Sequence, residues 1–218
     1  MARHVLLVEG NGDQDFFNAY CKLLGMAKTE VIPPKDLNAS TGNGWSNLVT
    51  NLPILLNQIK AGDVDQFGIV LDADYPPENN GGFAKRFQLV ADELVKVGYT
   101  IPQNPSYKTG EIFTHSDGLP PIGLWIMPDH QSDGMLEGFV EYLISDTTQI
   151  ALLTHAEQSI NNLPVTLFNK TLHLTKAKVF TWRAWQKPPG LPLSKVLETI
   201  LDRSKAVNFE NWLKKVFK

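Results

Sequence analysis

The chain has 218 residues, of which 43% are hydrophobic and 20% charged, an ordinary globular composition. One cysteine, Cys21, excludes an internal disulfide and a cysteine-built zinc site, and no apolar run is long enough to cross a bilayer. The net charge of −3 is unevenly spread: eleven of the 20 Lys and Arg residues, but three of the 23 Asp and Glu residues, lie between Lys170 and Lys218. A basic tail on an acidic body fits a nucleic-acid surface, and it fits equally two halves that attract each other.

His4-Val5-Leu6-Leu7-Val8 reads as a central strand covered on both faces. It is too short for the apolar core of a signal peptide, so a cytoplasmic location with no membrane contact is expected. The strand ends at Glu9-Gly10-Asn11-Gly12-Asp13, where the glycines permit a tight turn and Asn11 or Asp13 can cap a helix. Phe16, Phe17, Tyr20, Leu23 and Leu24 give that helix its apolar face, Gly25 stops it, and Cys21 reads as packing. A short strand at Glu30-Val31-Ile32 follows. Next comes the loop Ser40-Thr41-Gly42-Asn43-Gly44, which lacks the Gly-Lys-Ser/Thr of a P-loop. Leu48, Leu52, Leu55, Leu56 and Ile59 mark a helix in which Pro53 sits in the first turn or makes a kink.

The run from Gln66 to Leu71 ends in Asp72-Ala73-Asp74, and Tyr75-Pro76-Pro77 forbids its extension. Strand alternation puts Asp72 and Asp74 on one side, roughly 6.6 Å apart along the axis. They are either solvated turn or capping residues, or two like charges that need a cation or proton between them. Phe83, Phe87, Val90, Leu94 and Val97 form the next helix, ended by Gly98. Three strand–helix units in succession predict a right-handedly wound, mostly parallel sheet with helices on both faces.

Glu111–Thr114 is expected to pair across Ser116-Asp117-Gly118 with Ile122–Met127, the fourth core strand. That strand too ends in acids: Asp129, Asp133 and, on a helix starting near Gly134, Glu137 with Glu141 four residues on. His130 reads as a surface loop residue. Helices are expected near Gln149–Ile160, Leu174–Gln186, Leu193–Leu201 and Phe209–Phe217, with a break at Lys187-Pro188-Pro189-Gly190. The organisation is therefore an α/β core over 1–147 and a helical extension over 148–218 packed on it as one unit.

Acids at several strand ends suit Mg²⁺ or Mn²⁺, which favour carboxylates, water and phosphate oxygens, and two such ions can clamp a phosphoryl transfer. Val8-Glu9-Gly10-Asn11-Gly12-Asp13 followed by Asp72-Ala73-Asp74 resembles the two signatures of the Toprim superfamily, which includes topoisomerase and primase catalytic domains and the nucleases of the OLD family. Trp125–Asp129 with Gly134–Glu137, and Lys176-Ala177-Lys178 with Ala184-Trp185-Gln186 and Pro189-Gly190, are similar to an uncharacterised prokaryotic Toprim-related family. The resemblance implies a Toprim-like, Rossmann-like core and a metal-dependent nuclease acting on DNA or RNA, alone or with a protein partner. Glu9, Asp72 and Asp74 match the metal-binding acids, and Glu9 also a general acid or base. Asp129, Asp133 and Glu137 match further metal ligands, and Lys176 or Lys178 a lysine that neutralises the scissile phosphate.

No topoisomerase strand-passage body, primase zinc module or ATPase signature accompanies these motifs. A receiver domain would want an acidic pair at Glu9-Gly10, and a haloacid-dehalogenase-type phosphatase would carry Asp72-Ala73-Asp74 on its first strand. The alternative to a nuclease is a non-catalytic metal- or nucleotide-binding regulatory module of a defence or repair complex.

Overall fold

The computed structural model describes residues 2–77 and 81–217. Four apolar segments, β1 (Arg3–Leu7), β2 (Thr29–Ile32), β3 (Val64–Asp72) and β6 (Ile122–Met127), run parallel in one sheet. β5 (Glu111–His115) pairs antiparallel with β6, and the two-residue β4 (Tyr99–Thr100) closes that edge, giving the order β2-β1-β3-β6-β5-β4. The α/β architecture and the β5–β6 pairing are as the sequence predicts. β4 carries no signal of its own: two residues are too few for a period, and it exists because β5 offers it an edge.

Alternation along the central strands explains why they read as unbroken apolar runs. Val5, Leu7, Ile69, Leu71, Leu124 and Ile126 face α3 (Trp45–Ala61) and α4 (Phe83–Val95), in a cluster sealed by Leu52, Leu55, Phe87 and Val90. Leu6, Val8, Val70, Trp125 and Met127 face the other side, against α1 (Asn11–Leu23), α5 (Leu136–Leu143) and α9 (Val207–Val216). Each face thus buries every second residue, the pattern of a parallel sheet between two helical layers. A short helix, α2 (Pro34–Leu37), lies between β2 and α3. Pro53 lies inside the continuous α3, not in its first turn. Burial pushes the Cys21 thiol up to about 12, which keeps it protonated and inert, as packing requires.

The remaining helices, α6 (Thr147–Asn161), α7 (Lys170–Ala184) and α8 (Leu193–Thr199), join α9 in the same apolar cluster as α1 and α5. Trp212 of α9 packs on Trp125 of β6, ring centroids 5.8 Å apart, and its indole N–H donates to the carbonyl of Glu111. Only glycine allows this approach: a Cβ at Gly123 would stand 2.3 Å from Val216 Cγ2. Among the described residues no helix is long and apolar enough to cross a membrane.

Candidate functional site

β1 and β3 end side by side, and their ends carry the acids. Backbone pairing between the two strands stops at Leu7 and Ile69. Beyond it the Glu9 side chain takes over as acceptor, its Oε1 lying 2.7 Å from the Asp72 amide nitrogen. Glu9 is thereby fixed across the strand ends while the chain turns into α1. Asp72, the last residue of β3, reaches forward: its Oδ1 accepts the N–H of Leu136 at 2.8 Å, at the first residue of α5. A carboxylate there satisfies an orphan helix donor and meets the positive end of the helix dipole.

Asp74 departs from the expected geometry. The strand has already ended, and Asp74 has a left-handed φ of 57°. Its backbone N–H donates to the Gly134 carbonyl at 2.7 Å, and the Gly134 N–H returns the bond. Gly134 has φ 143°, a conformation that favours glycine, so this bridge explains the glycine. The Asp74 carboxylate is turned onto Arg86 of α4, 2.6 Å away. Arg86 is fully buried; its Nε donates to the Asp72 carbonyl and its guanidinium lies 4.0 Å over the Trp45 ring. The two aspartates therefore diverge, one toward α5 and one toward α4, because the alternation rule applies only within the strand.

Two further acids face the same place. Asp13 comes from the first turn of α1 and Glu137 from the first turn of α5. Lys176 of α7 brings its ammonium to 3.7 Å from Glu137. Burial pushes the Glu9 carboxyl up to about 8; the Asp72 N–H opposes this, and the charges of Asp13 and Asp74 add to it. Asp72 is held well above the ordinary carboxylate range by burial and then by Glu9, Asp13, Glu137 and Asp74. Asp13 is raised to about 6, by burial first and Glu137 second. For Lys176, burial works against the charge, but Glu137, Asp72, Asp13 and Asp74 together outweigh it and its pKa is raised. Asp13 was visible in the sequence only as a cap; the N-cap residue is Gly10, with no side-chain cap bond, and Asp13 joins the acids instead.

The other expected ligands lie in other bonding patterns. Asp129 accepts the N–H groups of Gln131 and Ser132 and the Ser132 hydroxyl, closing its own loop. Asp133 Oδ1 accepts the Phe83 N–H at 2.8 Å and so caps α4, whose N-cap residue Gly82 has no side chain to do it. Lys178 bridges Glu141 and Glu157, at 2.7 and 3.0 Å, and ties α7 to α5 and α6. The reading of His130 as surface is corrected. It is wholly buried, with its backbone N–H donating to the Ile126 carbonyl and its Nδ1 accepting the Ile126 N–H, in place of a strand partner, since β5 begins opposite Leu124.

The chemistry of the donors fits a hard divalent cation: buried oxygen ligands in surplus, at strand ends, with repulsion that a cation would relieve. Arg86 and Lys176 already balance Asp74 and Glu137, which leaves Glu9, Asp72 and Asp13 as the acids least compensated. Among the described residues, no three His, Cys, Asp or Glu side chains stand together closely enough to hold a metal ion. Glu9 is held by the Asp72 amide, Asp72 by the Leu136 amide and Asp74 by Arg86, so the described arrangement is a convergence rather than a finished coordination sphere.

A family model described as "Protein of unknown function (DUF3226)" matches residues 3–218. The chain belongs to that family. The match spans the sheet, the acid-bearing edge and the helical C-terminal part alike. No curated protein and no solved structure matches the chain significantly.

Proposed function

We propose that the protein is a divalent-metal-dependent phosphoryl-transfer enzyme acting on nucleic acid, a nuclease of the Toprim kind that works alone or with a separate partner. One observation carries the reading: five carboxylates from β1, β3, α1 and α5 converge with Lys176 at the carboxyl edge of a parallel sheet, where open α/β folds place their ligands. Glu9, Asp72 and Asp13 would hold Mg²⁺ or Mn²⁺, with Asp74 and Glu137 at its flanks. When bound, the cation supplies charge neutralisation at the phosphate and an acidified water. Glu9 also matches the general acid or base of the resemblance, and its bond to the Asp72 amide fixes it at the strand ends for that role. Lys176 offsets negative charge on the phosphate and stands beside the acids without being sealed among them, its side chain 51% exposed.

The second reading, a non-catalytic metal- or nucleotide-binding regulatory module, is favoured by the buried Arg86–Asp74 pair, which neutralises part of the site without a metal. Incubating single- and double-stranded DNA and RNA with the protein in Mg²⁺ and in Mn²⁺ separates the two. The nuclease reading expects cleavage that chelation stops and Asp72→Asn abolishes. Metal binding without cleavage of any of the four supports the module instead.

A further inference from the structure

α7 leads away from the acids, and its outward face has a composition of its own. The helix carries Lys170, His173, Lys176, Lys178 and Arg183 and no acid. Lys178, Val179 and Trp182 are buried and form its inward face. His173, Lys176, Ala177 and Phe180, spaced at i, i+3, i+4 and i+7, line a shallow, almost wholly apolar depression of about 240 Å³ on the outward face. Lys176 stands at the acid end of this stripe, 3.7 Å from Glu137. Phe180 stands one turn further out and is 51% exposed. The Arg183 guanidinium lies 5.2 Å from its ring centroid and is anchored by a bond from Nε to the Leu191 carbonyl at 2.7 Å.

An exposed phenylalanine beside a fixed cation, one turn from a lysine that faces buried acids, has the parts of a nucleotide-binding stripe. A base stacks on an open aromatic face, and the neighbouring phosphate meets a cation. Residues i and i+4 are about 6 Å apart on a helix, within the span between a nucleotide's base and its adjoining phosphate. The strand must be unpaired, because in a duplex each base face is covered by its neighbours and a protein ring has none to stack on.

We propose that the His173–Lys176–Phe180 face of α7 binds a single-stranded nucleic acid, with a base stacked on Phe180 and the adjoining phosphate led past Lys176 to the acids. The proposal rests on the phosphoryl-transfer reading for its direction and names the substrate class of that site. The segment before α7 exposes Leu163, Val165 and Leu167, apolar residues that suit a protein partner, so the test must separate the two occupants.

The test is binding of fluorescent oligothymidylate, oligouridylate and a DNA duplex of the same length, in Ca²⁺, to the full chain and to Phe180→Ala, Phe180→Leu and Phe180→Trp. The proposal expects tighter binding of at least one single strand than of the duplex. It expects about tenfold weaker single-strand binding by both Ala and Leu variants, the scale of one base–aromatic stack, and retention by Trp. The two single-stranded arms report whether DNA or RNA is preferred. Duplex binding as tight as single-strand binding, unchanged affinity in Phe180→Ala, or full rescue by Leu would overturn it, and Leu rescue would mark an apolar protein interface. Stabilisation by Mn²⁺, measured on the same variants, is expected to be unchanged. Single-strand binding through Phe180 in a protein that Mn²⁺ does not stabilise would leave this proposal standing and remove the metal reading.

Discussion

α5 and α7 meet through two charged clusters about one helical turn apart, and the two behave differently. In the outer cluster Lys178 sits between Glu141 and Glu157, whose side chains remain 35% and 41% exposed. Both carboxylates face one cation, water completes their solvation, and the cluster is a clamp between helices. In the inner cluster Glu137 is 8% exposed and Lys176 is its nearest cation, but Glu9, Asp13, Asp72 and Asp74 crowd behind it, with Arg86 bonded to Asp74 and Arg183 within electrostatic reach of Glu137. Salt bridges occur in both. Buried negative charge in excess of its partners occurs in one, and that surplus marks the candidate site.

The largest effect is expected at Arg86, which separates a compensated acid from the uncompensated ones. Arg86→Met should cost about 3–5 kcal/mol in denaturant unfolding, because it leaves Asp74 and the Asp72 carbonyl without their buried donor. A cost below about 1 kcal/mol would mean that the inner cluster relaxes as easily as the outer one.

The two lysines sharpen the contrast next. Lys176→Ala should lower metal-dependent cleavage by about a hundredfold, the scale on which one electrostatic donor acts on a transition state. Lys178→Ala should leave cleavage near the wild-type rate and lower stability by about 1–3 kcal/mol, since it removes a buried ammonium bonded to two carboxylates. Equal loss of activity in both variants would merge the clusters into one functional unit.

His130 provides a control from the loop that joins Asp129 to Asp133. Burial lowers its pKa from the ordinary 6.5 to about 4, with Asp129 opposing the shift. Between those values the unfolded chain binds a proton that the folded chain refuses. Its stabilising contribution is thus complete above pH 6.5 and falls as the pH drops toward 4, with a slope of up to about 1.4 kcal/mol per pH unit. Asn at this position keeps an acceptor for the Ile126 N–H and tolerates φ 56°. The wild-type stability minus that of His130→Asn should therefore shrink across this window, the shared carboxylates cancelling, whereas parallel curves would remove His130 from the account.

Much of this was legible in the sequence, for physical reasons. Parallel strands buried on both faces announce themselves as apolar runs, and acids directly after such runs, as at Glu9 and Asp72, fall at a sheet edge. Four outcomes depended on tertiary contacts that no local pattern carries. Asp74 lies two residues beyond the end of β3, where alternation no longer holds. Asp133 caps a helix fifty residues earlier in the chain. Lys176 and Lys178 differ in role because the stripe of α7 turns between them, and only packing against α5 and α6 decides which faces the acids. His130 takes up the Ile126 backbone because β5 begins opposite Leu124, and a missing strand partner leaves no mark at the histidine itself.

The central claim is that the converging acids take up a divalent cation, and calorimetric titration with Mn²⁺ combined with thermal unfolding tests it most directly. Wild-type protein is predicted to bind Mn²⁺ and to gain about 2.7 kcal/mol at a hundredfold excess over its Kd. Asp72→Asn and Glu9→Gln are each predicted to lose that gain, while melting no lower than wild type without metal, since each amide keeps an oxygen acceptor for the N–H that its carboxyl holds and cannot take on a buried charge. Mn²⁺ binding of equal strength and equal stabilisation in wild type and both variants would contradict the account.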